Sequence, residues 1–298
     1  MKTFAEILPS FLANVKIKVK ERTYKAYIGR TNVFCDWLTL HGFNRLPLAE
    51  INEQIIEQFS VYLADKKGLD RPTCLKYKGC LLSLFKYAMG RGEVLKLPFD
   101  FFVLPHKGKD CGAQVIPQHD YKILLDDIKT KDKQLYLIMM TEFYAGIRPG
   151  ELRLLKTDEI DFKTGTITIL SENAKTGRRR MVTMPNQLLQ IFREQGVDRA
   201  NKGLYVFGKT KTPYTKPCSV NMFGYRFRKY RTKHSLSTSY KLYSSKHNGI
   251  TSLHNMNIPI GDIMEHVGHL SMSSTQHYIH RHTSTINPVI QNNYPNPF

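Results

Sequence analysis

The sequence predicts a mainly α-helical chain with a small antiparallel β-sheet, divided into two domains. Three observations carry that prediction. Apolar residues recur at close to 3.6-residue spacing through most of the first hundred positions and again beyond residue 117. One stretch, 165–184, instead alternates with period two around a polar segment. Between the helical halves, residues 98–113 lose all periodicity and collect Pro98, Pro105, Gly108 and Gly112. That segment reads as a linker, which sets a boundary near residue 110 and domains of 1–110 and 111–298.

The first helical pattern runs from Thr23 to Leu40, with Tyr24, Tyr27, Ile28, Val33, Phe34, Trp37 and Leu38 on one face and Gly42 as a stop. A second spans Ile51 to Leu63. A third runs from Thr73 to Met89, with Pro72 at its start and Gly90 and Gly92 at its end. The aromatic residues of these faces are expected in the core. Beside them lie Lys16, Lys18, Lys20, Arg22, Lys76 and Lys78, the candidate contacts of this half with a polyanion. Helical patterns resume at Gln118–Ile128 and Lys133–Tyr144. Pro149 suits the first position of a further helix. Gly165–Leu170 and Met181–Met184 alternate as strands do, and the segment Ser171 to Arg180 between them forms the basic tip of a hairpin. The remainder reads helical, with loops at Gly203–Lys216 and Ser235–Ser239. The asparagine- and proline-rich stretch Thr283–Phe298 suits no long helix.

At 298 residues and 41% hydrophobic, the chain has the material for packed cores. Its net charge is +19. Residues 1–110 hold 18 Lys and Arg against 11 Asp and Glu, and the remainder holds 26 against 14. Both halves are therefore suited to lie against phosphate, and nucleic acid is the expected partner. No apolar run spans a bilayer and no leader pattern opens the sequence, so a cytoplasmic location without membrane contact is expected. Cys35, Cys74, Cys80, Cys111 and Cys218 are scattered without a C-x-x-C pair, against a disulfide framework or a structural zinc site.

Three segments of the second half carry chemistry. One is Ala145 to Leu152, AGIRPGEL. Another is Val267 to His280, VGHLSMSSTQHYIH. The third is the hairpin with Lys175. In residue type, order and spacing they resemble the tyrosine recombinase, or phage integrase, family, whose mobile-element integrases also place a helical DNA-clamping domain ahead of the catalytic one. The resemblance covers nearly the whole chain.

That resemblance implies a site-specific recombinase that cleaves and rejoins duplex DNA through a 3′-phosphotyrosyl intermediate. Tyr278 would be the nucleophile, and the phosphodiester energy conserved in its bond makes ATP unnecessary. Arg148 would hold the non-bridging oxygens of the transition state, a task suited to its planar fork. Glu151, three residues on, would fix that arginine. Lys175 would protonate the leaving 5′ oxygen, with Arg178, Arg179 and Arg180 as plain phosphate contacts. His269, nine residues before Tyr278, would donate a hydrogen bond to the scissile phosphate. No metal and no cofactor are called for. The implied assembly is a tetramer of identical chains on two duplexes, and an accessory DNA-bending protein is a further partner the family allows.

The sequence departs from the family at one place. Where the family usually has His-x-x-Arg followed by His, this chain has Tyr243, Lys246 and His247. Lysine keeps a positive charge and loses the fork. Tyrosine donates a hydrogen bond but is no base near neutral pH. On these two substitutions rests the alternative of a catalytically impaired, DNA-binding descendant acting as a regulator. A nicking-closing topoisomerase would show relaxation without recombination, and a metal-dependent nuclease would lose activity in EDTA.

Overall fold

A computed structural model describes residues 2–107, 114–272 and 275. The chain divides into two compact units, 1–110 and 111–298.

Among its described residues the first unit holds four α-helices: α1 (Phe4–Lys18), α2 (Glu21–Leu40), α3 (Glu53–Ala64) and α4 (Arg71–Met89). Local sequence starts three of them. The Thr3 hydroxyl accepts from the Glu6 amide at 3.3 Å while Glu6 accepts from the Thr3 amide at 2.8 Å, a reciprocal cap on α1. Asn52 and Asp70 cap α3 and α4 at 3.1 and 2.9 Å, and Pro72 occupies the first turn of α4, where no donor is lost. The core is aromatic. Phe34 meets Phe4 and Phe59 edge-on at 4.9 and 4.7 Å between ring centres.

The linker expected over 98–113 begins later than its composition suggests. Phe99 and Phe102 are buried in this core, Phe99 edge-on to Phe85 at 5.2 Å. The Val103 amide donates to the Ser60 hydroxyl at 2.8 Å, and Arg71 to the Pro105 carbonyl at 3.0 Å. Regular structure ends at Met89, but burial of two phenylalanines keeps the chain on the domain. Residues 108–113, with Cys111 and the boundary itself, lie outside the described residues.

The second unit holds α5 (Gln118–Lys131), α6 (Lys133–Ala145), α7 (Pro149–Leu152), β1 (Ile160–Asp161), β2 (Thr166–Ile169), β3 (Arg180–Thr183), α8 (Asn186–Glu194), α9 (Met222–Lys233), α10 (Ser244–Asn255) and α11 (Ile260–Val267). The sheet is antiparallel in the order β1-β2-β3. Ile167 pairs with Val182, and both are buried, so the period-two pattern reports the inward face. β1 was absent from the sequence reading because two residues are too few to show alternation; Ile160 pairs with Ile167 across the turn at Gly165. Among the described residues no helix is long and apolar enough to cross a membrane.

Helix α6 is buried almost all round, with Leu135, Leu137, Ile138, Met139 and Met140 in the main core. Against it lies α10. The two backbones approach so closely at Gly249 that a Cβ there would stand 1.9 Å from the Phe143 carbonyl oxygen. This crossing positions the site.

Candidate active site

The turn after α6 is the first part of the site. Gly146 ends α6 at φ +57°, a conformation open to glycine, and a Cβ on it would lie 2.5 Å from Val267 Cγ1. The reversed chain presents Arg148 at the start of α7, with Pro149 as the first helical residue. Glu151, 3% exposed, accepts from the Arg148 amide at 3.2 Å and from its guanidinium at 3.4 Å.

Glu151 does more than steady Arg148. It receives the guanidinium of Arg180 through both carboxylate oxygens, at 2.6 and 3.3 Å, and the backbone amide of Lys175 at 3.2 Å. Burial pushes this carboxyl up. The Arg180 hydrogen bond and charge, the Lys175 amide and Arg148 outweigh burial, and the group ends below the usual carboxylate range.

Arg180 therefore differs from its place in the sequence reading. It is not a free phosphate contact in the hairpin tip. It opens β3, is held bidentate by Glu151, and packs on Gly268, where an added Cβ would stand 2.5 Å from its Nε. Arg178, Arg179 and the Lys175 side chain are exposed. Strand pairing resumes at Arg180, opposite Ile169, and this draws the last of the three arginines inward.

Helix α10 supplies Lys246. It is fully buried, and its Nζ donates to the Val267 carbonyl at 3.1 Å. Burial, with Arg148 and Arg180 adding to it against Glu151 and Glu142, pushes this amine down to about 7. The charge that lysine was expected to preserve is thus conditional at this position. Tyr243, at the start of α10, meets His247 one turn on, edge to face at 5.1 Å. Tyr243 also borders a recess lined by Pro149, Arg153, Phe223, Arg228 and Lys241.

Gly268 closes α11 at φ +66° and turns the chain to His269. His269 Nδ1 is 2.9 Å from the Thr275 hydroxyl. Burial, together with Lys246, Arg148 and Arg180, pushes its pKa down to about 4; burial and Lys246 do the same to His247. Both rings are neutral at neutral pH, so each offers one N–H donor and one acceptor. His266 is structural, its Nε2 2.8 Å from the Tyr144 carbonyl oxygen.

Arg148, Glu151, Arg180, Lys246 and His269 thus converge from four segments of the second unit. Three cationic side chains around one carboxylate suit an anionic oxygen. Tyr278 lies outside the described residues, as do His277, His280, His282 and the tail 283–298. Among the described residues no group of three or more His, Cys, Asp and Glu side chains could hold a metal ion. In the first unit Lys16, Lys18, Lys20, Arg22 and Lys76 are exposed, and Lys78 stands over the Phe102 ring at 5.5 Å.

The sequence reading left out Glu142, which is fully buried within reach of the charge on Lys246. Its signal was available: an acidic residue amid the apolar run Leu135–Ala145.

Comparison with known proteins matches both units. The profile of the phage integrase family fits residues 114–285, and that of the phage integrase SAM-like domain residues 3–104. Tyrosine recombinase XerA of Thermococcus kodakarensis is 27% identical over 166 residues, 55% of this chain and 57% of its own length. Tyrosine recombinase XerC of Oceanobacillus iheyensis is 22% identical over 285 residues, 93% of this chain and 90% of its own. The chain thus spans a little over half of the first relative and most of the second. Among solved structures, the Tn1549 transposon integrase in complex with a circular intermediate DNA superposes with a TM-score of 0.76 at 18% identity, covering 94% of this chain and 96% of that one.

Proposed function

The chain belongs to the phage integrase family, and on that premise we propose that it is a site-specific DNA recombinase acting through Tyr278. The observation that carries the proposal is the enclosed cluster of Arg148, Arg180 and Lys246 around Glu151, with neutral His269 beside it.

Cleavage of a phosphodiester gathers negative charge on the non-bridging oxygens, and fixed donors cost no reorganisation when that charge develops. Arg148 serves as the principal donor, oriented through Glu151. His269 adds a neutral N–H, and Lys246 adds a charge when protonated. The Tyr278 phenol gives up its proton to water as its oxygen bonds to phosphorus and the bond to the 5′ oxygen breaks. Lys175, on the exposed tip, gives a proton to the departing 5′ oxygen. The reverse sequence rejoins the strand. Charge stabilisation by these side chains makes the reaction independent of metal ions.

The first unit acts as a clamp on the duplex, with Lys16, Lys18, Lys20, Arg22, Lys76 and Lys78 on the backbone. The DNA complex of the similarly folded Tn1549 integrase supports double-stranded DNA as partner. Four protomers on two duplexes form the working assembly, in the cytoplasm, on a mobile element.

Covalent trapping tests the proposal. Wild type and Tyr278→Phe are incubated in EDTA with nicked suicide duplexes drawn from DNA flanking the gene, then run on a denaturing gel. Wild type is expected to give a protein–DNA adduct and the variant none. An adduct that persists in the variant removes Tyr278 as nucleophile. Tight, salt-sensitive binding by wild type without adduct replaces the enzyme with a DNA-binding regulator.

A further inference from the structure

Glu142 has no part in the chemistry assigned above. It lies in α6, is fully buried, and neither of its carboxylate oxygens has a hydrogen-bond partner among the described residues. A carboxyl enclosed without hydrogen bonds persists where a nearby charge repays its burial.

The crossing of α6 and α10 supplies that charge. The two helices approach closely between Phe143, next to Glu142, and Gly249. Lys246 precedes Gly249 by three residues, on the same face of α10. It is as completely buried as Glu142. The two groups act on each other in both directions. Burial drives Glu142 well above the carboxylate range and Lys246 opposes it. Burial and Arg148 drive Lys246 down, and Glu142 opposes them.

We propose that Glu142 is a positioning residue for Lys246, the enclosed carboxylate that keeps this amine protonated for the scissile phosphate. The phosphate in that statement rests on the recombinase reading; the electrostatic coupling of Glu142 and Lys246 rests on the fold alone. An arginine at position 246 would stay charged in any surroundings and need no such partner. A lysine there faces Arg148 from the start of α7, Arg180 from β3, His247 on its own helix and His269 beyond α11. Glu151 is one negative group acting on it, and it is already committed to two arginines and an amide. Glu142 is the second. The absence of a hydrogen bond to it fits a residue that works by charge, while the Val267 carbonyl fixes where the amine lies.

The test reads the two groups directly. Full-length protein with ¹³Cε-labelled lysine is titrated by NMR, and Lys246→Arg identifies the Lys246 signal by its loss. Wild type is expected to titrate near 7. Removing the carboxylate with Glu142→Gln should lower that midpoint by about 1 pH unit, tenfold in the proton equilibrium. Glu142→Asp should hold it near wild type. Adduct formation on the suicide duplex should lose its alkaline limb at a correspondingly lower pH in Glu142→Gln. The same substitution in a Lys246→Arg background should leave the pH profile unmoved. An unmoved Lys246 midpoint in folded Glu142→Gln overturns the proposal, as does an equal shift of both pH profiles. If Glu142→Gln does not fold, ¹³Cδ-glutamate in wild type decides: Glu142 ionised wherever Lys246 is protonated at neutral pH supports the pair, and Glu142 still protonated above Lys246's midpoint overturns it. The NMR midpoint requires no cleavage. The expected midpoint shift in Glu142→Gln, together with a wild type that forms no adduct, would sink the recombinase reading and leave the pairing of Glu142 with Lys246 standing.

Discussion

In the first unit the cations that suit DNA stand outside an aromatic core, and the buried polar side chains among the described residues are two hydroxyls, Thr31 and Ser60. In the second the interior itself holds Glu142, Glu151, Glu159, Arg231 and Lys246. Surface charge acts through solvent, is screened by salt and adds roughly phosphate by phosphate. Enclosed charge acts at full strength, but only when every partner is in place. One unit is thus suited to hold a duplex at many points, and the other to stabilise one oxygen.

Three substitutions would break or sharpen this contrast. The largest effect is expected from Arg148→Lys, which keeps charge and loses the fork aligned by Glu151. Strand cleavage should fall by about 10²–10³-fold, with duplex affinity changed far less. Single-turnover trapping beside a gel-shift titration measures both; equal losses would erase the distinction. Gly249→Ala comes next. A Cβ set 1.9 Å from the Phe143 carbonyl cannot be relieved by a side-chain rotation, and α6 and α10 must part. A loss of about 3 kcal/mol or more is expected. Denaturant unfolding followed by Trp37, in the first unit, and by far-UV dichroism should place that loss in the second unit alone. A loss shared by both would join what the contrast separates. The smallest effect belongs to Lys76→Gln. The slope of log affinity against log salt should drop by about 1, with cleavage at saturating DNA unchanged. A cleavage defect there would make the first unit part of the chemistry.

The same contrast explains what could be read from the sequence. The helices of the first unit follow from apolar spacing because each needs only an inward face. Arg148, Lys246 and His269 stand in motifs whose internal spacing survives in a linear sequence. Arg180 does not, because its direction depends on strand register opposite Ile169, eleven residues away through a loop. Glu142 and Gly249 matter through a helix crossing, and no local pattern encodes which two faces meet. Phe99 and Phe102 lie in a proline-bounded stretch, so composition pointed to a linker while their own apolar area drew them inward.

Glu151 also has a consequence for timing. It accepts the amide of Lys175 and the guanidinium of Arg148 on the same oxygen, at 3.2 and 3.4 Å. The lysine side chain is exposed, but its backbone is tethered to the group that orients the arginine. The proposed proton donor and the proposed phosphate clamp therefore share one fulcrum. A shift of the hairpin that carried Lys175 away would pull on Arg148 too, so under the proposed mechanism cleavage would be armed or disarmed as one linkage and not part by part.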